Sequence, residues 1–194
     1  MYDIGILVFD EVEELDFVGP FETLSSVEKI DSDSIKVTLI AKSLDPVKAS
    51  NGLRVLPDKI LSDDDRYDVL IVPGGQGRKQ AMKDEELLDF IKDQVEDLDH
   101  LCSVCTGAFI LAEAGILNGL KATTHKSALD ELKHNYPDIQ VLEKRVVKNG
   151  TDPDIWTAAG ISSGIDMSLE LIRVLFDEDM KDRIAERLEY EPRQ

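Results

Sequence analysis

The run Leu101-Cys102-Ser103-Val104-Cys105-Thr106-Gly107-Ala108-Phe109-Ile110-Leu111-Ala112 passes from a strand pattern to a helix pattern across a single turn. Residues 101–104 read as a short strand in the interior of a parallel sheet. Residues 106–117 read as a helix apolar almost all round, hence the most buried one. A tight strand-to-helix turn lifts the Cys105 side chain above the sheet. Gly107, two positions on, is the small residue that lets the helix pack close beneath it.

Working outward, the same alternation recurs. Residues 4–9 form an apolar strand, and an acid-rich loop leads to a helix expected over about 19–30, with Pro20 in its first turn. Residues 35–41 alternate as a second strand, and Asn51-Gly52 between alternating segments predicts a hairpin. A strand over 67–72 stops at Pro73-Gly74-Gly75. Leu87, Leu88, Ile91, Val95 and Leu98 then mark an amphipathic helix. Strands near 121–124, 141–148 and 155–159, a helix over about 127–135 and a long helix over 163–188, breakable near Asp177, complete the pattern. Strands alternating with helices, with no repeat or linker, predict one α/β domain over residues 1–194 with a mostly parallel sheet. Ligands of such sheets sit beyond the carboxyl ends of the strands, which selects residues 11–20, 73–78 and 104–107.

The chain carries 40 Asp and Glu against 22 Lys and Arg, a formal charge of −18 over 194 residues. Nucleic acid and anionic membrane are excluded as partners, because both require cations to displace counterions or meet lipid headgroups. No stretch approaches a membrane span. At 42% hydrophobic, the chain has enough apolar residues for a full core. An N-terminus without a secretory pattern and two cysteines at short spacing point to the cytoplasm. From His100 to Leu129 the only acid is Glu113, and from Ile155 to Leu169 the only one is Asp166. The charge is therefore a coat around a charge-poor region, which suits a small neutral substrate.

Cys105 is the sharpest chemical feature. A helix N-terminus beneath a thiol lowers its pKa, and free N–H groups there hold a developing anion. The competing reading is an inert core cysteine. The C-x-x-C spacing of Cys102 and Cys105 invites a redox or zinc reading. Strand alternation sends the two sulfurs to opposite faces, and His100, His125 and His134 lack ligand spacing. No metal is expected, and Cys102 is read as core. Pro73-Gly74-Gly75 is either an ordinary turn or a source of anion-binding N–H groups. Asp16 is either a solvated loop carboxylate or, flanked by Leu15, Phe17 and Val18, a partly buried acid with a raised pKa. Composition and spacing stop at a thiol-based enzyme.

Leu15-Asp16-Phe17-Val18-Gly19-Pro20, Val72-Pro73-Gly74-Gly75, Ser103-Val104-Cys105-Thr106-Gly107 and Ala122-Thr123-Thr124-His125 resemble the ThiJ/PfpI superfamily, the class I glutamine-amidotransferase-like proteins. Gly164-Ile165-Asp166 and Leu188-Glu189-Tyr190-Glu191-Pro192 extend the resemblance, which is narrower still to the isonitrile hydratases and to the amidase-like domains of AraC-type regulators. It implies a flavodoxin-like three-layer α/β/α sandwich, a homodimer and chemistry without a cofactor. It also implies Cys105 as nucleophile, Asp16 as its paired carboxylate, and Thr106 orienting that carboxylate or the substrate. The backbone of Gly74, Gly75 and Thr106, with Gly107 and His125, faces the substrate. Peptidase-like members carry His after the Cys, where this chain has Thr106, and deglycase-like members carry Glu where Asp16 stands. The Asp-Cys-Thr set therefore points to water addition to a small isonitrile through a Cys105 thioimidate. An oxidation-sensing Cys105 and a glyoxalase or deglycase acting on dicarbonyls are the alternatives. His125 either acts on the intermediate or packs at a strand end. Trp156 is core or pocket lining, and Ser162 and Ser163 are expected to cap the last helix.

Overall fold

The structure is a computed structural model describing residues 1–62 and 64–193. Its elements run β1 (Tyr2–Leu7), α1 (Glu14–Ser25), β2 (Ile35–Ala41), β3 (Val47–Lys48), β4 (Arg54–Val55), β5 (Lys59–Ile60) and β6 (Val69–Val72). They continue α2 (Arg78–Ala81), α3 (Glu85–Gln94), β7 (His100–Val104), α4 (Ala108–Glu113), β8 (Lys121–Ala122), α5 (Leu129–Asn135) and β9 (Gln140–Val141). The last are β10 (Val146–Lys148), β11 (Asp154–Ala158), α6 (Ser163–Leu175) and α7 (Glu178–Arg187).

Seven strands form one sheet in the order β10-β11-β7-β6-β1-β2-β5, parallel throughout except for the β10–β11 pair. Strand alternation divides the core between its two faces. Ile4, Ile6 and Ile71 pack with Phe17, Leu24, Met167 and Leu171 of α1 and α6. Leu7, Leu70 and Val72 pack with Leu87, Ile91, Phe109 and Leu111 of α3 and α4. The α/β/α layering is thus the flavodoxin-like arrangement. The chain leaves β1 toward β2 on one side and returns as β6 on the other, so the strand order reverses between β1 and β6. The loops after β1, β6 and β7 open at this switch point, where a crevice forms.

The hairpin at Asn51-Gly52 is present as β3 and β4, and the C-terminal helix divides where Asp177 accepts the Met180 N–H at 2.8 Å and starts α7. Two helices depart from expectation. Helix α1 begins at Glu14 rather than near residue 19, and Pro20 lies in its interior. Glu14 and Asp16 in the first turn suit the helix dipole, and the Pro20 ring packs against Gly164 of α6. The helix after the elbow ends at Glu113, because Gly115 turns the chain at φ +78°. Ser162 does not cap α6 with its side chain; its hydroxyl accepts from Arg145 instead. Among the described residues, no helix is long and apolar enough to cross a membrane.

Candidate active site

Val104 ends β7 in extended conformation, and Cys105 follows at φ +56°, opening a 3₁₀ turn over Cys105–Gly107 that runs into α4. A non-glycine residue in the left-handed region costs on the order of 1 kcal/mol, so neighbours must hold it there. They do so through the backbone: the Cys105 N–H donates to the Ala159 carbonyl at 2.8 Å, and the Thr124 hydroxyl donates to the Cys105 carbonyl at 2.7 Å. Gly107 permits the geometry, because a Cβ there would run into the Val72 carbonyl of β6.

Asp16, in the first turn of α1, has no exposed surface. One carboxylate oxygen, Oδ2, accepts the Gly74 N–H at 3.0 Å, and the carboxyl also shares a hydrogen bond with the Cys105 thiol. Burial pushes its pKa up to about 7, outweighing those two bonds. The loop-carboxylate reading is therefore replaced by a buried acid on a helix.

Cys105 is nearly covered, and burial first, then the charge of Asp16, pushes its thiol up to about 12. The helix N-terminus was expected to lower it. Desolvation and the Asp16 charge outweigh the N–H groups of Ile161 and Thr106, which hydrogen-bond the sulfur and pull the other way. The two acids titrate as a pair that shares a proton.

Thr106 and the two glycines take different parts from those expected. The Thr106 hydroxyl accepts the Gly75 N–H at 3.0 Å, tying the elbow to the loop after β6, and makes no bond to Asp16. Gly75, at φ +120°, pairs with Val12 in an isolated bridge. With Gly74 committed to Asp16 and Gly75 to Thr106, both N–H groups build the site and neither is free for an anion. The N–H groups turned to the sulfur come from Thr106 and Ile161. Nothing in the local sequence marks Ile161, since its part depends only on backbone position.

The hydrogen bonds of the His125 ring go to Ser127 and not to the acid–thiol pair. Its Nδ1 bonds the Ser127 hydroxyl at 2.8 Å, and its ring packs on Gly160, beside a cleft of about 430 Å³ that Leu15, Ile161 and Ser162 also line. Trp156 is fully buried core, with Lys148 Nζ 3.7 Å from its ring centroid. Cys102 is fully buried in the same core layer as Cys105. The expected opposite faces do not arise, because strand alternation ends at Val104 and the positive φ of Cys105 redirects its side chain. Both cysteines are free. The other feature unmarked by spacing is Arg145. It is paired with the buried Asp166, and the signal that could have found it is that Asp166 is the lone acid in its stretch.

This geometry agrees with the chain's similarity to known proteins. The model of the DJ-1/PfpI family matches residues 3–174. Isonitrile hydratase of Pseudomonas putida is 38% identical over 191 residues, covering 97% of this chain and 78% of that protein. The HTH-type transcriptional regulator CdhR of Pseudomonas aeruginosa is 30% identical over 170 residues, which is 88% of this chain but 49% of the regulator. A crystal structure of a ThiJ/PfpI family protein from Pseudomonas syringae superimposes with a TM-score of 0.87 at 33% identity, covering 100% of this chain and 76% of that one. Drosophila melanogaster DJ-1beta shares the fold at a TM-score of 0.83 and 22% identity. With the family's pattern spanning the elbow, the buried acid and nearly all the sheet, the chain belongs to the DJ-1/PfpI family.

Proposed function

We propose that the protein is a cysteine-dependent hydratase that converts a small isonitrile to an N-substituted formamide. The observation that carries this reading is the Asp16–Cys105 pair. A buried carboxyl with a pKa of about 7, hydrogen-bonded to the nucleophile, moves protons readily at neutral pH. The similarity to an isonitrile hydratase over nearly the whole chain supports the same reading.

The reactive state carries one proton on the pair. Asp16 takes the thiol proton as the sulfur bonds to the terminal isonitrile carbon, then delivers it to that carbon, giving a thioimidate. Water next adds to the same carbon while Asp16 carries one of its protons to the nitrogen. The carbon–sulfur bond breaks, the hydroxyl proton returns through Asp16 to the sulfur, and the formamide leaves. The overall addition is one water per isonitrile. The N–H groups of Ile161 and Thr106 stabilise the sulfur anion as it attacks and as it departs.

The test is incubation with an aryl isonitrile, following formamide release beside a Cys105→Ala control. Turnover above that control supports the hydratase. With no such turnover, gain of two oxygens at Cys105 under mild peroxide puts oxidation sensing in its place, and lactate formed from methylglyoxal puts a glyoxalase there.

A further inference from the structure

The Ile161 N–H that reaches the sulfur sits on a turn that does not hold itself. Ile161 is a β-branched residue at φ +21°, between β11 and α6. Such a residue leaves the preferred regions only when its surroundings over-determine it. On one side, the Ser163 hydroxyl donates to the Gly160 carbonyl at 2.7 Å. On the other, Arg145 Nη2 donates to the Ser162 hydroxyl at 3.1 Å, while the Arg145 carbonyl accepts the Ala159 N–H at 2.9 Å. Ala159 is also the residue whose carbonyl receives the Cys105 N–H. Backbone and side chain of Arg145 thus brace both strands of this turn.

Arg145 is itself fixed from behind. Its Nε donates to Asp166 Oδ2 at 2.5 Å, and Asp166 is nearly fully buried on α6. The Tyr190 hydroxyl donates to Asp166 at 3.1 Å, and the Arg193 N–H reaches Asp166 Oδ1 at 2.8 Å. The segment after α7 therefore closes over the ion pair. Arg145 borders both the cleft beside Ile161 and a second cleft of about 570 Å³ lined by Glu143, Lys144, Glu170, Lys181 and Arg193. These, Asp166, and Lys126 with the titratable His125 on the cleft beside Ile161 are the groups around it. The charged group facing Cys105 is Asp16, which in turn feels Glu13.

We propose that Arg145, locked by Asp166 and Tyr190, is a positioning residue that holds the Ser162 side of the turn and so keeps the Ile161 N–H on the Cys105 sulfur. The C-terminal segment is thereby part of the apparatus that tunes the thiol. This rests on the hydratase reading only for its consequence on turnover; its effect on the sulfur is independent of any substrate.

Two variants separate geometry from folding. Ser162→Ala removes the anchor and leaves the Arg145–Asp166 pair intact. Arg145→Lys keeps a countercharge for Asp166 but loses the planar fork. The rate of Cys105 alkylation by iodoacetamide is followed across pH, mapped to the Cys105 peptide by mass spectrometry, with thermal melting alongside. In both variants the rate at pH 8 falls by about tenfold, the scale of other outer supports, and stays below the wild-type rate at every pH at which the protein remains folded. Folded variants that alkylate with the wild-type profile overturn the proposal; if Arg145→Lys does not fold, Ser162→Ala alone decides. A lowered profile in a protein that hydrates no isonitrile sinks the hydratase reading and leaves the positioning role standing.

Discussion

Asp16 and Cys105 share a hydrogen bond in a site from which both are barely accessible, and burial pushes both pKa values upward. One proton therefore stays on the pair over a wide range, from about 7 to about 12. The chemistry proposed above needs that single proton.

The first prediction is a pH profile. kcat/KM for isonitrile hydration rises with pH through a midpoint near 7, as the pair loses its second proton. Asp16→Asn lacks that limb and turns over about 100- to 10,000-fold more slowly. A wild-type profile flat from pH 5 to 9 contradicts the assignment.

The same carboxyl makes stability depend on pH. Its folded pKa of about 7 lies above the ordinary 3.8, so the folded state binds the proton more tightly than the unfolded state. Its contribution is fully present below about 4 and is lost as pH rises through 7. The scale is on the order of a few kcal/mol, since a tenfold difference in proton affinity between the two states is worth about 1.4 kcal/mol. Asp16→Asn, which cannot ionise, gains stability relative to wild type between pH 4 and 8. Denaturant melts at both pH values measure the difference.

Gly107→Ala drives a methyl into the Val72 carbonyl and the Pro73 backbone beside it, and backbone has little room to yield. A loss of about 2 kcal/mol or more in urea melts is expected, the range of overpacked cores. Unchanged stability means that the elbow is looser than its geometry indicates.

Thr106→Val removes the oxygen that accepts the Gly75 N–H. The variant loses about 1 kcal/mol of stability, as for one hydrogen bond with a partner left unsatisfied. Turnover falls as well, because the loop carrying Gly74 also holds Asp16. Equal loss of activity in Thr106→Ser, which restores the hydroxyl, argues against this route.

Cys102→Ala removes a thiol that is fully buried and pushed far above its ordinary pKa by burial. Iodoacetamide labels one site in the native protein, and this variant labels as wild type does, at a stability cost of about 1 kcal/mol for the lost sulfur. Labelling of Cys102 in the native state contradicts its core placement.

Much of the architecture was legible because it rests on local patterns. The apolar strands, the Asn51-Gly52 hairpin and the break at Asp177 all follow from periodicity and turn chemistry within a few residues. The start of α1 was misplaced because Pro20 is an ordinary helix-start signal. In the interior its ring lies against Gly164, a residue far along the chain that no local pattern points to.

Residue type and spacing alone place a cysteine on a strand-to-helix elbow with a glycine two positions on, and an acid among apolar neighbours after the first strand. Those are statements about residue type and short spacing. Tertiary structure alone decided that the Gly74 N–H is spent on Asp16, that the Thr106 hydroxyl holds Gly75, and that Ile161 and Arg145 belong to the thiol's surroundings. It also reversed the direction in which the thiol's pKa moves. Hydrogen-bond partners and desolvation depend on which loops the switch point of the sheet brings together, and no local spacing encodes that.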